Sequence, residues 1–148
     1  MTNESVTKSE MKVIIFQLKD EEYAIEVDHV QSIERMQPVT RIPRTESYVT
    51  GVMNLRGVIT PIVNLRTRFG IEEKEFDNST RILVIKKDQV EIGFIVDGAN
   101  DVLDIPLASI EPTPEVVGEV EVEYLRGVVK LDNRLVTLLE LDSIMKSG

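Results

Sequence analysis

The block Tyr48–Leu65 recurs without a gap 76 residues later as Tyr124–Leu141, with Tyr48/Tyr124, Gly51/Gly127, Val52/Val128, Leu55/Leu131 and Leu65/Leu141 in phase. In each copy two short apolar runs are split by a polar pair, Arg56-Gly57 in the first and Asp132-Asn133 in the second. That is the pattern of a tight β-hairpin. A further match runs at an offset of 69, pairing Tyr23–Asp28 with Ile92–Asp97. The offsets differ by 76 − 69 = 7, so a loop grew in the second copy. The acidic stretch Glu111–Glu123 fits that loop, because Pro112 and Pro114 favour extended chain. The chain reads as one small β module built twice, and two similar modules leave a cleft between them in which a partner can be held.

Each copy supplies about five short strands and almost no helix. An open sheet of such strands exposes its edges, and closure into a barrel removes them. A barrel of that size is filled by its own side chains, so function belongs on outer surfaces and loops. The expected fold is therefore all-β, with a first five-stranded barrel over about residues 12–70 and a second over about 80–140. A C-terminal helix is expected over about 141–147.

Local signals supply the detail. Residues 1–11 are polar and short-sided and read as a disordered N-terminus. Strand-like runs at Val13–Leu18 and Tyr23–Val27 flank a turn at Lys19–Glu22, and Asp28–Ile33 switches to helical spacing with Asp28 as cap. Pro38 and Pro43 bracket an extended connection, and Leu65–Phe69 reads as a short helix stopped by Gly70. Ile71–Ser79 is acidic and poor in apolar residues apart from Phe76, as a linker would be. Strands resume at Ile82–Ile85 and Val90–Asp97. Gly51, Gly57 and Gly127 are expected to serve structural turns.

Composition closes off several functions. The 148 residues suit one compact domain or two very small ones. No cysteine is present, which excludes disulfides, thiol catalysis, iron–sulfur clusters and the usual structural zinc sites. One histidine, His29, leaves no multi-histidine metal site. A net charge of −9 repels phosphate backbones and argues against nucleic acid and anionic membranes. No apolar run approaches the roughly 20 residues of a membrane span, and no export signal is visible, so the expected address is the cytoplasm. The chain reads as complete at both ends.

Catalytic constellations are equally thin. Asp28-His29 with Ser32 is the single candidate for acid–base chemistry, and it reads as a solvated segment. The alternating glutamates of Glu119-Val120-Glu121-Val122-Glu123 mark a solvated strand face. No phosphate-cradling glycine loop occurs, and the sequon Asn78-Ser79-Thr80 is incidental in a cytoplasmic chain. The expectation is no enzyme, no cofactor and no metal. What stands out is Arg56, held between apolar residues at the first hairpin tip, where the second copy holds Asp132. Spacing alone leaves two readings open, a solvated turn residue or a guanidinium fork that recognises a partner's carboxylate or amide.

At this hairpin the sequence closely resembles the CheW family of chemotaxis coupling proteins. Asn54-Leu55-Arg56-Gly57 with Pro61-Ile62-Val63-Asn64-Leu65-Arg66 carries the resemblance. Tyr23-Ala24-Ile25, Val30-Gln31-Ser32-Ile33, Gly93-Phe94-Ile95-Val96-Asp97 and Tyr124-Leu125-Arg126-Gly127 extend it over roughly residues 12–145. The resemblance implies two SH3-like barrels and a non-catalytic adaptor. Its partners would be the regulatory domain of the histidine kinase CheA, met barrel to barrel, and the cytoplasmic tip of chemoreceptors, gripped between the barrels. It places the receptor-binding residues at Arg56, Asn54, Leu55, Val30 and Ile82, and kinase contacts loosely on the barrel ends. Family members often carry an acid where this chain has Ser32, which unsettles any ion pair from that position. The free protein is expected to be monomeric. Alternatives are the coupling domain of a CheV-type protein, a kinase regulatory domain, or, in another class, a small β-barrel hydrolase.

Overall fold

The computed structural model describes residues 9–43, 45–113, 116–117 and 120–145. In chain order the elements are β1 (Glu10–Leu18), β2 (Glu21–Glu26), β3 (Val30–Arg35), β4 (Val49–Leu55), β5 (Val58–Asn64), α1 (Leu65–Arg68), β6 (Arg81–Lys87), β7 (Val90–Val96), β8 (Gly98–Pro106), β9 (Val116–Val117), β10 (Val120–Glu121), β11 (Leu125–Leu131), β12 (Arg134–Leu139) and α2 (Leu141–Met145). They build two five-stranded sheets, ordered β11-β12-β2-β1-β8 and β3-β6-β7-β5-β4, and a small β9–β10 ribbon. The ribbon lies in the acidic stretch where the second copy was expected to have grown.

The fold class matches expectation, but the barrel boundaries do not. The first sheet joins β1 and β2 to the last strands of the chain, and we call it the terminal barrel. The second is built from β3 to β7, the central barrel. Each copy therefore gives one hairpin to the other: β1–β2 leaves the first copy and β6–β7 leaves the second. The connections dictate this exchange. Between β2 and β3 lies one 3-10 turn, Val27–His29, and between β7 and β8 only Asp97. Links that short carry the chain straight into the neighbouring barrel.

The two barrels share one register. The parallel contact pairs Ile62 with Gly93 in the central barrel and Leu138 with Ala24 in the terminal one, and 62 + 76 = 138 while 24 + 69 = 93. The extra residues that break the β3–β6 and β1–β8 ladders, Gln31 and Asn100, are mates as well, since 31 + 69 = 100. Closure also repeats. Thr40 and Val52 exchange two backbone hydrogen bonds of 2.9 Å, and Glu111 and Val128 exchange bonds of 2.8 and 2.9 Å, each bending the end of a sheet back onto its first strand.

Several local expectations are corrected. Val30–Ile33 is strand rather than helix, with only Val27–His29 in a helical turn. Glu10 and Met11 belong to β1, while the rest of the predicted disordered N-terminus, apart from Ser9, lies outside the described residues. The C-terminal helix is seen over Leu141–Met145, and residues 146–147 lie outside the described part. Gly51 and Gly127 are strand residues at the two closure points. A Cβ on Gly51 would sit 2.2 Å from the Thr40 carbonyl oxygen, and one on Gly127 would sit 2.9 Å from that of Glu111. Gly57 alone of the three occupies a turn.

Side chains fill three regions. Met11, Val13, Ile15, Ala24, Val136 and Leu138 occupy the terminal barrel, and Met53, Leu55, Ile62, Ile82, Val84 and Ile95 the central one. The largest cluster lies between the barrels, where Phe16, Tyr23, Leu83, Phe94 and Leu139 pack from the outer faces of the sheets. Strands β1, β2, β6 and β7 thus bury residues on both faces, which explains their nearly continuous apolar runs. Over this core Arg68 lies 4.6 Å from the ring centre of Tyr48 and 4.9 Å from that of Tyr124, two mated tyrosines. It also donates to the Tyr124 hydroxyl at 2.8 Å and to the Ile144 and Ser143 carbonyls at 3.2 and 3.3 Å, pinning α2.

The crossing at Asp97 is clamped. Arg66 donates to its carboxylate through Nε at 2.9 Å and Nη2 at 2.6 Å, and the Lys19 amide donates at 2.7 Å. Burial is the largest single influence on this carboxyl and pushes its pKa up, but Arg66, the Lys19 amide and the local positive charge together hold it below the usual range. A depressed carboxylate stabilises the fold fully above its unfolded value near 4 and loses that contribution as pH falls through the folded value. We expect stability to drop on acidification below about pH 4 and the drop to shrink in Asp97→Asn. Urea unfolding at several acidic pH values checks this, and an unaltered pH slope would exclude the clamp as its source.

Candidate functional site

Arg56 and Gly57 form the two-residue turn between β4 and β5, with φ of 54° and 86°. Two positive φ values match the right-handed twist of a hairpin. Asn54 fixes the turn by accepting the Gly57 amide on Oδ1 at 2.9 Å, while the residue itself stays exposed. Arg56 donates through Nη2 to Ser32 Oγ at 3.2 Å, and its Nε lies 3.5 Å from Glu34 Oε2. The guanidinium-bearing side chain is still 63% exposed. Ser32 and Glu34 pair across to Val84 and Ile82 of the barrel interior, so Arg56 sits over the rim of the central barrel. Glu34, the acidic partner of Arg56, stands two residues beyond Ser32 on β3.

The other residues expected at the receptor site fare differently. Leu55 and Ile82 are core residues of the central barrel, 3% and 0% exposed, and neither can touch a partner. Val30 is half-buried against the inter-barrel cluster at the start of β3. Exposed apolar residues occur instead at Ile33 and Val102, 42% and 56% exposed, among others such as Val58 and Ile59 beside the Arg56 turn. Ile33 and Val102 are mates, 33 + 69 = 102, on the edge strands β3 and β8. Ile33 stands between polar Ser32 and Glu34 in the sequence, whereas Val102 is followed by apolar Leu103 and carries no such signal.

A cleft exists, but the space between the barrels is mostly solid. An open groove of about 660 Å³ lies where β2 crosses into the central barrel, with Met11, Val27 and Leu107 as apolar lining and Asp28, Asp104 and Arg126 among its polar groups. Across the Glu26–Arg126 ion pair, 2.9 Å, it continues into a smaller cleft that reaches His29 and Lys87 on the central-barrel side. Ser32, considered with His29 for catalysis, is engaged by Arg56. The mated position on the opposite side is closed. There Met11 corresponds to buried Thr80 (11 + 69), Glu26 to buried Ile95, and Asp28 to the clamped Asp97. At this pair of mated positions the groove opens on one side.

The internal copy also provides a comparison for the rim. In the terminal barrel Arg134 donates to both oxygens of Glu22, at 2.9 Å each, and to Asp101 at 3.0 Å. Asp101 is the mate of Ser32, 101 − 69 = 32. The terminal rim thus holds an arginine with three hydrogen bonds to two carboxylates, whereas the central rim holds a more loosely bound one. Hydrogen bonds to Glu22 and then Asp101 push the Arg134 pKa further up.

The model for the CheW-like domain matches residues 12–148. The chain belongs to the CheW family. The "Chemotaxis protein CheW" of Bacillus subtilis (strain 168) is 41% identical over 138 residues, 93% of this chain and 88% of that protein. That of Klebsiella aerogenes is 38% identical over 134 residues, covering 90% and 81%. Among solved structures, the scaffolding protein TtCheW from Thermoanaerobacter tengcongensis superposes with a TM-score of 0.87 at 27% identity, covering 100% of this chain and 96% of that one. These CheW-family relatives match along most of both lengths, and the CheV-type alternative has less support.

Proposed function

We propose that this chain is a non-catalytic chemotaxis adaptor that couples chemoreceptors to the histidine kinase CheA. The observation that carries the reading is a two-barrel scaffold, packed through a shared core, with two distinct outward surfaces, the crossover groove and the open barrel rim. A chemoreceptor tip is a helical hairpin, and the groove offers what a helix needs, an apolar floor between polar edges. Next to His29, which lines the smaller cleft, β3 begins at Val30 and runs roughly 13 Å to Glu34 at about 3.3 Å per residue. Helices laid along it meet Ile33 part-way and Arg56 at the far end. The kinase's regulatory domain, itself built of such barrels, would then meet a barrel end. Among the described residues no helix is long and apolar enough to cross a membrane, and the adaptor would work in the cytoplasm at receptor arrays.

Arg56→Ala should weaken binding of a soluble receptor-tip fragment by about 1–3 kcal/mol, the range for a charged hydrogen-bonding group. Its melting temperature should stay put, because the side chain is exposed and only loosely held. Titration calorimetry with circular dichroism measures both. Full affinity in a folded variant would remove Arg56 from the receptor surface.

A further inference from the structure

The two places where the chain crosses between barrels are mates, yet only one of them is closed by the chain itself. Asp97 follows β7 and Asp28 follows β2, with 28 + 69 = 97. The hairpin turn that meets Asp97 has a mate as well, because Lys19 corresponds to Asp88 (19 + 69 = 88) and both take positive φ, 59° and 53°. Around Asp97 every part of a carboxylate site is filled. Arg66 donates through Nε to Oδ1 and through Nη2 to Oδ2, and the Lys19 amide donates to Oδ2. Asp28 receives none of this. The mate of Arg66 is an acid, Asp142 (66 + 76 = 142), and its carboxylate is bonded to Lys87 at 2.9 Å. Among the described residues no hydrogen bond or ion pair reaches the Asp28 carboxylate, which stands exposed on the wall of the crossover groove.

The groove's other charges point the same way. Lys12 pairs with Asp104 at 3.1 Å and Arg126 with Glu26 at 2.9 Å, so both cations of the lining are engaged. Glu10 and Asp28 are left over. The charge still open to a partner is therefore negative.

We propose that Asp28 is a specificity residue of the groove: it takes up an arginine from the helix laid there, so that the partner supplies from outside the guanidinium that Arg66 supplies to Asp97 from within. The internal copy favours arginine over lysine, because Arg66 meets both carboxylate oxygens with two nitrogens of one planar fork, which an ammonium cannot do. The methylenes of such an arginine would lie along Met11, Val27 and Leu107, the apolar part of the lining. A helix without the arginine covers an unpaired carboxylate and strips its water uncompensated, so the same residue rewards one partner and penalises another. The inference rests on the adaptor reading given above, in which a receptor helix occupies the groove.

A double-mutant cycle tests it, with the full chain titrated calorimetrically against a soluble chemoreceptor-tip fragment whose arginines are changed to glutamine or lysine one at a time. Asp28→Asn should weaken binding about tenfold or more and flatten its dependence on salt. One arginine of the fragment should lose affinity to the same extent on wild type, as glutamine and nearly as much as lysine, and lose almost nothing further on Asp28→Asn. If Asp28→Asn fails to fold, the fragment variants on wild type decide alone, since one arginine must then matter and lysine must not replace it. Wild-type affinity in folded Asp28→Asn, no fragment arginine coupled to Asp28, or full rescue by lysine overturns the arginine proposal while leaving the adaptor reading intact. Absence of any binding by the wild-type pair instead removes the adaptor reading.

Discussion

Gly51→Ala is expected to cost about 4 kcal/mol of folding stability, combining overpacking against fixed backbone with a φ that side chains rarely adopt. Gly51 has φ of 150°, and a Cβ there meets the Thr40 carbonyl oxygen at 2.2 Å and Val39 Cγ1 at 2.8 Å. The oxygen cannot retreat, since Thr40 is the residue whose two bonds to Val52 close the central barrel. Gly57 supplies the control. Its φ of 86° also favours glycine, but a Cβ there meets nothing within 4 Å, so Gly57→Ala should cost only about 1 kcal/mol. Gly127→Ala falls between them, because its neighbours at 2.8 and 2.9 Å include the movable Ile110 side chain. Urea unfolding followed by far-ultraviolet circular dichroism ranks the three. Equal losses at Gly51 and Gly57 would show that the closure point tolerates a side chain.

That ranking shows what the repeat does and does not reveal. The recurrence of Gly51 as Gly127 was visible, yet the reason, a second chain segment passing directly overhead, is a long-range fact without a local signature. The same holds for the exchange of hairpins. Offsets of 69 and 76 say which strands are mates, and the tight turns say which are hairpins. Neither says onto which sheet a hairpin folds, and contiguous barrels were the natural expectation. The clue lay in the connections: Val27–His29 and Asp97 are too short to return a hairpin to its own copy. In β3, Val30 and Ile33, three apart, mimic helical spacing because the ladder contains an extra residue at Gln31. At the site, Arg56 was legible because an arginine on a fixed turn is unusual whatever surrounds it. Leu55 and Ile82 were not, because burial depends on which strand face looks inward, and that is settled by pairing rather than by composition.

Hairpin exchange has a measurable consequence for unfolding. Phe16 is fully buried on β1, with its ring centre 5.9 Å from that of Tyr23, in the cluster that joins the barrels. Phe16→Ala should cost about 4 kcal/mol, the usual loss for deleting a buried ring. The loss should not stay in the terminal barrel. Removing β1 and β2 from their sheet strips the outer cover from β6 and β7, and through Val27–His29 it pulls on β3 of the central barrel. Conversely, β6 and β7 are held in the central barrel but covalently belong to the second copy. Neither barrel can then open while the other stays closed, so the chain should unfold in one step. Hydrogen exchange reads this directly, because amides of β6–β7 and of β11–β12 should lose protection by the same factor in Phe16→Ala. Faster exchange confined to β1, β2, β8, β11 and β12 would mean that the barrels open separately, and the exchanged strands would then be a matter of connectivity without energetic coupling.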